Sequence, residues 1–218
     1  MKPFNDLLTV LDKLLNPDGG CPWDREQTML SMRESVLEET CELIEAIDIN
    51  DAKHIEEELG DLLFNVVFLC RLAEKERKCS LQSALSNVTK KLIHRHPHIF
   101  GNIEITTSEQ VLEQWDKIKS KDQGKENRAS VLDGIPKGLP ALARAQKMIK
   151  RMRKSNFYPE KCMDMAPTIA EDEELQLGIK LFNLIDDPSN KRIDVEQALK
   201  RVLALQEQAF RKCEQEVK

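Results

Sequence analysis

The chain has 218 residues, with 33 basic against 38 acidic side chains and a formal net charge of -5, long enough to bury a core without disulfide or metal staples. That balance excludes a general nucleic-acid binder, which needs a basic stripe to meet phosphates, and no apolar run approaches the ~20 residues that span a bilayer. The opening MKPFNDLLTVLDKLL lacks the cationic and apolar regions of a secretory leader, and the six cysteines are scattered with no C-x-x-C pair; a cytoplasmic protein with reduced thiols is expected.

Only 8 glycines and 5% aromatic residues, beside abundant Leu, Glu, Lys and Gln, favour helices, and no segment alternates with period two. The expected fold class is all-α. A first helix is predicted over 3–15, where Phe4, Leu7, Leu8, Leu11, Leu14 and Leu15 recur at helical spacing. It ends at the turn cluster NPDGG over 16–20. Further helices are predicted over 26–49, 51–78 and 81–95, the last stopped by Pro97. Four helices with short connections suggest a bundle. After a helix over 108–119, the stretch SKDQGKENRAS at 120–130 is polar throughout. It places a linker at 121–131 between a domain of residues 1–120 and a smaller helical domain of residues 132–218.

Glu38, Glu39, Glu42 and Glu45 share one face of the second helix at ~100° per residue, with Val36, Leu37, Leu43, Ile44 and Ile47 opposite. Alone this is an ordinary solvated face. The third helix adds weight, because LGDLLFNVVFLC over 59–70 is apolar nearly all round, yet Glu58, Asp61 and Asn65 fall on one stripe. Carboxylates beside a buried helix are costly unless paired or metal-bound, and few cations lie near in sequence. Clustered Glu39, Glu42, Glu58 and Asp61 ask for a hard divalent cation such as Mg²⁺, which takes oxygen ligands and bridges carboxylates to phosphates.

Four motifs in order, GCPWD at 20–24, LEETCE at 37–42, EELGDLLF at 57–64 and RHPHIF at 95–100, closely resemble the MazG nucleoside triphosphate pyrophosphohydrolases. The resemblance is dense over residues 1–120, and LDGIPKGLPALARAQ at 132–146 resembles the start of the second domain of two-domain members. It implies a four-helix-bundle-like MazG domain that hydrolyses nucleoside triphosphates to monophosphate and pyrophosphate. It also implies an E-x-x-E pair, Glu39 with Glu42, and an E-x-x-D pair, Glu58 with Asp61, holding Mg²⁺ or Mn²⁺, with Glu38 as an additional acid. A homodimer is in line with the family and with the broad apolar faces. By the same resemblance Lys91 and Arg95 direct charge to the phosphates and Trp115 lies near the nucleotide.

Against these stand simpler expectations. Lys91 and Arg95 equally form a basic face at a helix C-terminus, Trp115 equally packs in a core or interface, and Trp23 shapes a pocket rim or staples a helix entry. His94, His96 and His98 flank Pro97 without the spacing of a helical zinc pair, which favours a phosphate-facing or capping role. A short internal repeat sets LGDLLFN at 59–65 against LGIKLFN at 177–183, so that Gln176 and Ile179 stand where Glu58 and Asp61 stand in the first copy. The second half is therefore expected to be a degenerate MazG-like copy, and the acids at 171–174 a solvated run. The rival to an enzyme is a non-catalytic nucleotide-sensing or partner-binding module with vestigial acids.

Overall fold

The computed structural model describes residues 2–120, 129–155 and 172–217, and every regular element among them is helical. The chain divides into two compact units, residues 1–120 and 121–218. Most of the expected linker, Cys162 and Glu171 lie outside the described residues.

In the first unit α1 spans Lys2–Leu14, α2 Pro22–Glu26, α3 Arg33–Ile49, α4 Ala52–Lys75, α5 Leu81–Arg95, α6 Pro97–Phe100 and α7 Ser108–Ser120. The helix expected over 26–49 is thus corrected to 33–49, with a separate short helix over 22–26 ahead of it. Between them Ser31 Oγ accepts from the Thr28 amide at 3.0 Å and donates to Gln27 Oε1 at 2.7 Å, while Thr28 Oγ1 accepts from the Ser31 amide. Such local side-chain bonds compete with the helical ladder and hold a turn. Pro97 ends α5 as expected and opens α6, where a missing N–H costs nothing.

The α3–α4 connection sets the geometry that matters most. Asn50 takes a left-handed conformation, φ 56°, and its amide reaches back to the Ala46 and Ile47 carbonyls. Asp51 then caps α4, its carboxylate accepting from the Lys53 amide at 3.0 Å and the His54 amide at 3.2 Å. Two residues therefore reverse the chain and pack α3 along α4.

The core lies towards the other end of this hairpin. Leu11, Met32, Val67, Phe68 and Leu72 are buried together, with Phe4, Leu8, Leu15, Phe64 and Leu81 packed around them. Phe64 and Phe68 meet edge to face, ring centroids 5.7 Å apart. Arg71 ties α1 to α4, donating from Nη2 to Asp12 at 3.0 Å and from Nη1 to Glu74 at 2.8 Å. Glu74 accepts the Leu81 amide at 2.9 Å, which seats α5 behind its Ser80–Ser83 capping box.

The apolar face expected opposite the α3 acids is only partly covered, since Leu37 is 65% and Ile47 54% exposed. On α4, Leu59, Leu63 and Val66 are likewise exposed, as are Leu85, Val88 and Leu92 on α5.

The second unit contains α8 Ala141–Arg153, α9 Glu173–Asp186, a 3₁₀ turn Pro188–Asn190 and α10 Val195–Val217. Its buried centre includes Ile135, Ile149 and Ile185. Arg151 Nη1 donates to the Val131 and Asp133 carbonyls at 3.1 and 2.7 Å, and Arg153 pairs with Asp186. Asp172 caps α9 and the acids after it, Glu173 and Glu174, sit exposed in its first turn. There they complement the helix dipole. Cys21, Cys41, Cys70, Cys79 and Cys213 are free thiols.

Candidate metal centre

The hairpin register brings acids from two helices to one place. Glu39 on α3 and Glu58 and Asp61 on α4 each offer a carboxylate oxygen within 4.8 Å of the other two. Oxygens bound to Mg²⁺ at ~2.1 Å stand about 3 to 4.2 Å apart in an octahedron, so this arrangement needs little closing to hold one. Glu58 is 6% exposed, Glu39 half-buried and Asp61 exposed, which gives the cluster one enclosed wall and one open side.

The electrostatics register the crowding. Burial first, then the charges of Asp61, Glu42 and Glu58 and a hydrogen bond with Glu58, push the Glu39 carboxyl above the usual carboxylate range. Glu42 is also pushed up, by desolvation, then by Glu58 and Glu38, against a downward pull from His54. Glu42 thus belongs to the same field although its oxygens stand outside the tight trio, and Glu38 is an exposed neighbour. Among the described residues no lysine or arginine pairs with Glu39, Glu58 or Asp61. Among the described residues lysine and arginine leave this cluster's charge standing, and an all-carboxylate donor set suits a hard divalent ion.

His54, which sequence reasoning missed, is the exception in kind: its Nε2 lies 2.9 Å from Glu58 Oε1. The signal was present, because a histidine four residues ahead of a glutamate on one helix shares its face. Asn65, 4% exposed, continues the stripe of Glu58 and Asp61.

Arg95 and Trp115 come together, the guanidinium 5.2 Å from the ring centroid, and Lys119 Nζ lies 4.3 Å from the same ring. The Arg95 contact joins α5 to α7, while Lys119 and Trp115 lie one turn apart on α7. Lys91 is exposed one turn before Arg95, and Trp23, at 60% exposure, stands at the start of α2. His96 Nδ1 meets the Leu92 carbonyl at 2.7 Å at the end of α5, and its ring lies 5.6 Å from that of His98. A separate cleft of about 790 Å³, lined by Asp12, Asn16, Pro22, Arg25, Arg71 and Lys75 among others, opens towards the far end of α4. At ~1.5 Å per residue it starts roughly 15 Å along the helix from Asp61.

Residues 27–100 match the MazG nucleotide pyrophosphohydrolase domain. The chain is 40% identical over 157 residues to the nucleoside triphosphate pyrophosphohydrolase of Escherichia coli strain K12, covering 72% of this chain. It spans 60% of that relative's length. It is 30% identical over 224 residues to the nucleoside triphosphate pyrophosphohydrolase/pyrophosphatase MazG of Thermotoga maritima, covering 97% of this chain and 86% of the relative. The crystal structure of a mazG-related protein from Thermotoga maritima, 29% identical, superposes with a TM-score of 0.48 over 54% of this chain and 99% of that one.

Proposed function

The chain belongs to the MazG family, and from that premise we propose that it is a Mg²⁺-dependent hydrolase cleaving nucleoside triphosphates to nucleoside monophosphate and pyrophosphate. The observation that carries the reading is the Glu39, Glu58 and Asp61 trio, within 4.8 Å across two helices and without a lysine or arginine partner among the described residues. Glu39, Glu42, Glu58 and Asp61 would hold the ion, with Mn²⁺ as a substitute, and Glu38 adds negative charge at the rim. A bound divalent ion supplies charge neutralisation for the triphosphate and lowers the pKa of a bound water.

The acids then have distinct tasks. Glu58, enclosed and hydrogen-bonded, fixes one ligand position, while exposed Asp61 faces the side from which substrate arrives. Glu39 would complete the ligand set from α3, and the proton of the attacking water passes to solvent. The new bond joins the water oxygen to the α-phosphorus, the α–β anhydride bond breaks, and its electron pair leaves on pyrophosphate. Arg95 and Lys91 meet the phosphate charge as it redistributes, and Trp115 and Trp23 contact the nucleoside. No nucleophilic side chain is required.

A homodimer formed through the uncovered faces of α4 and α5 accounts for Leu59, Leu63, Val66, Leu85, Val88 and Leu92 lying exposed. Residues 1–120 form the catalytic domain, and 132–218 a degenerate copy in which Gln176 and Ile179 replace the acids. No helix among the described residues is long and apolar enough to cross a membrane, and the cytoplasm, where nucleotide pools reside, is the proposed location.

The test is incubation of the full chain with ribo- and deoxyribonucleoside triphosphates, with and without Mg²⁺, followed by product analysis. Monophosphate plus pyrophosphate appearing only with metal supports the reading. Asp61→Ala should lower kcat about a hundredfold or more, since a metal ion contributes several kcal/mol of charge stabilisation and each 1.36 kcal/mol is tenfold. Diphosphate and phosphate as products would overturn attack at the α-phosphorus. Nucleotide binding without turnover would instead support a sensing module.

A further inference from the structure

We propose that His54 is a positioning residue of the metal centre: its imidazole donates a hydrogen bond to one carboxylate oxygen of Glu58 and so presents the other oxygen to the ion. The proposal rests on the metal-dependent reading above and assigns a role to a residue outside the acid motifs.

Three observations carry it. His54 Nε2 lies 2.9 Å from Glu58 Oε1, one helical turn away. The His54 backbone is itself pinned, because its amide donates to the Asp51 cap at 3.2 Å, in the turn that also sets the α3–α4 register. Glu58 is the most enclosed of the clustered acids, at 6% exposure, and its neighbours Glu39, Asp61 and Glu42 are acids that cannot orient it by opposite charge. A carboxylate with two oxygens and one free torsion at its end needs one oxygen anchored if the other is to point in a fixed direction.

The choice of histidine also fits the chemistry. A lysine at this place would put a permanent cation beside the ion and compete for the same carboxylate. An imidazole donates through a single ring nitrogen, which lies 2.9 Å from Glu58 Oε1. Carboxylate ligands are commonly held in this way from the second layer, and losing such a partner costs 10- to 100-fold in metal affinity.

The experiment measures Mn²⁺ binding to the full chain by the electron paramagnetic resonance signal of free Mn²⁺, for wild type, His54→Ala and His54→Gln, beside melting curves of each metal-free protein. His54→Ala should weaken Mn²⁺ binding about 10- to 100-fold. His54→Gln, whose amide N–H donates over a similar reach, should recover most of that loss. The metal-free melting temperatures should not follow this order. Equal or tighter binding by His54→Ala would overturn the proposal, as would a His54→Gln no better than alanine. A wild type that binds no Mn²⁺ would overturn the metal-dependent reading itself, which separates that failure from a failure of His54 alone.

Discussion

Glu39 carries the clearest electrostatic mark of the centre, a carboxyl whose proton affinity is raised by burial and by three neighbouring acids. A group with a raised pKa in the folded state stabilises the fold while it is protonated. Its contribution is full below the ordinary value of 4.5 and lost as pH rises through the elevated one. At neutral pH the metal-free protein therefore bears unrelieved repulsion. Glu39→Gln should raise the melting temperature of the metal-free protein at neutral pH, with the gain fading as pH approaches 4.5. Calorimetry in a chelating buffer checks this, and a lower melting temperature at neutral pH would contradict it. The proposed metal binding would run the other way, because an ion requires the deprotonated carboxylate and its affinity would climb through the same window. The residues that favour chemistry here are thus not those that favour the fold.

At the scale of elements, α4 does two jobs along one length. Its first half carries His54, Glu58 and Asp61, and its second half carries Val67, Phe68 and Leu72 into the core. The division makes stability and site separable. Phe68 is fully buried, so Phe68→Ala should cost about 3–5 kcal/mol of unfolding free energy. Denaturant titration measures this, and Mn²⁺ affinity should stay unchanged wherever the variant remains folded. The Asn50–Asp51 turn links the two jobs, since capping α4 also decides which turn of α3 faces Glu58.

At the scale of the whole molecule, the proposed dimer rests on the uncovered leucines and valines. Leu59, Leu63 and Val66 recur at i, i+4 and i+7 on the α4 face that the described chain leaves open. Light scattering should give twice the chain mass of 25.1 kDa, and Leu63→Glu, which places a charge in the proposed seam, should shift the protein to the single-chain mass. A wild type of single-chain mass would refute the dimer.

Much of this was legible in the residues. Low glycine, helical spacing of apolar positions, and Pro97 as a stop signal determined the helices, because those signals act within a turn or two of chain. The E-x-x-E and E-x-x-D spacings determined which acids share a face, since i and i+3 neighbours are fixed by 3.6 residues per turn. The split between α2 and α3 was hidden, because hydroxyl side chains folding back on their own backbone leave no periodic trace. Only the tertiary structure decided that Glu39 meets Glu58 and Asp61 while Glu42 stands slightly apart. It alone decided that Arg95 packs on Trp115 and that Leu37 and Ile47 stay exposed. Those outcomes depend on the register between helices, which a two-residue turn and a distant core fix together and which no spacing within one helix contains.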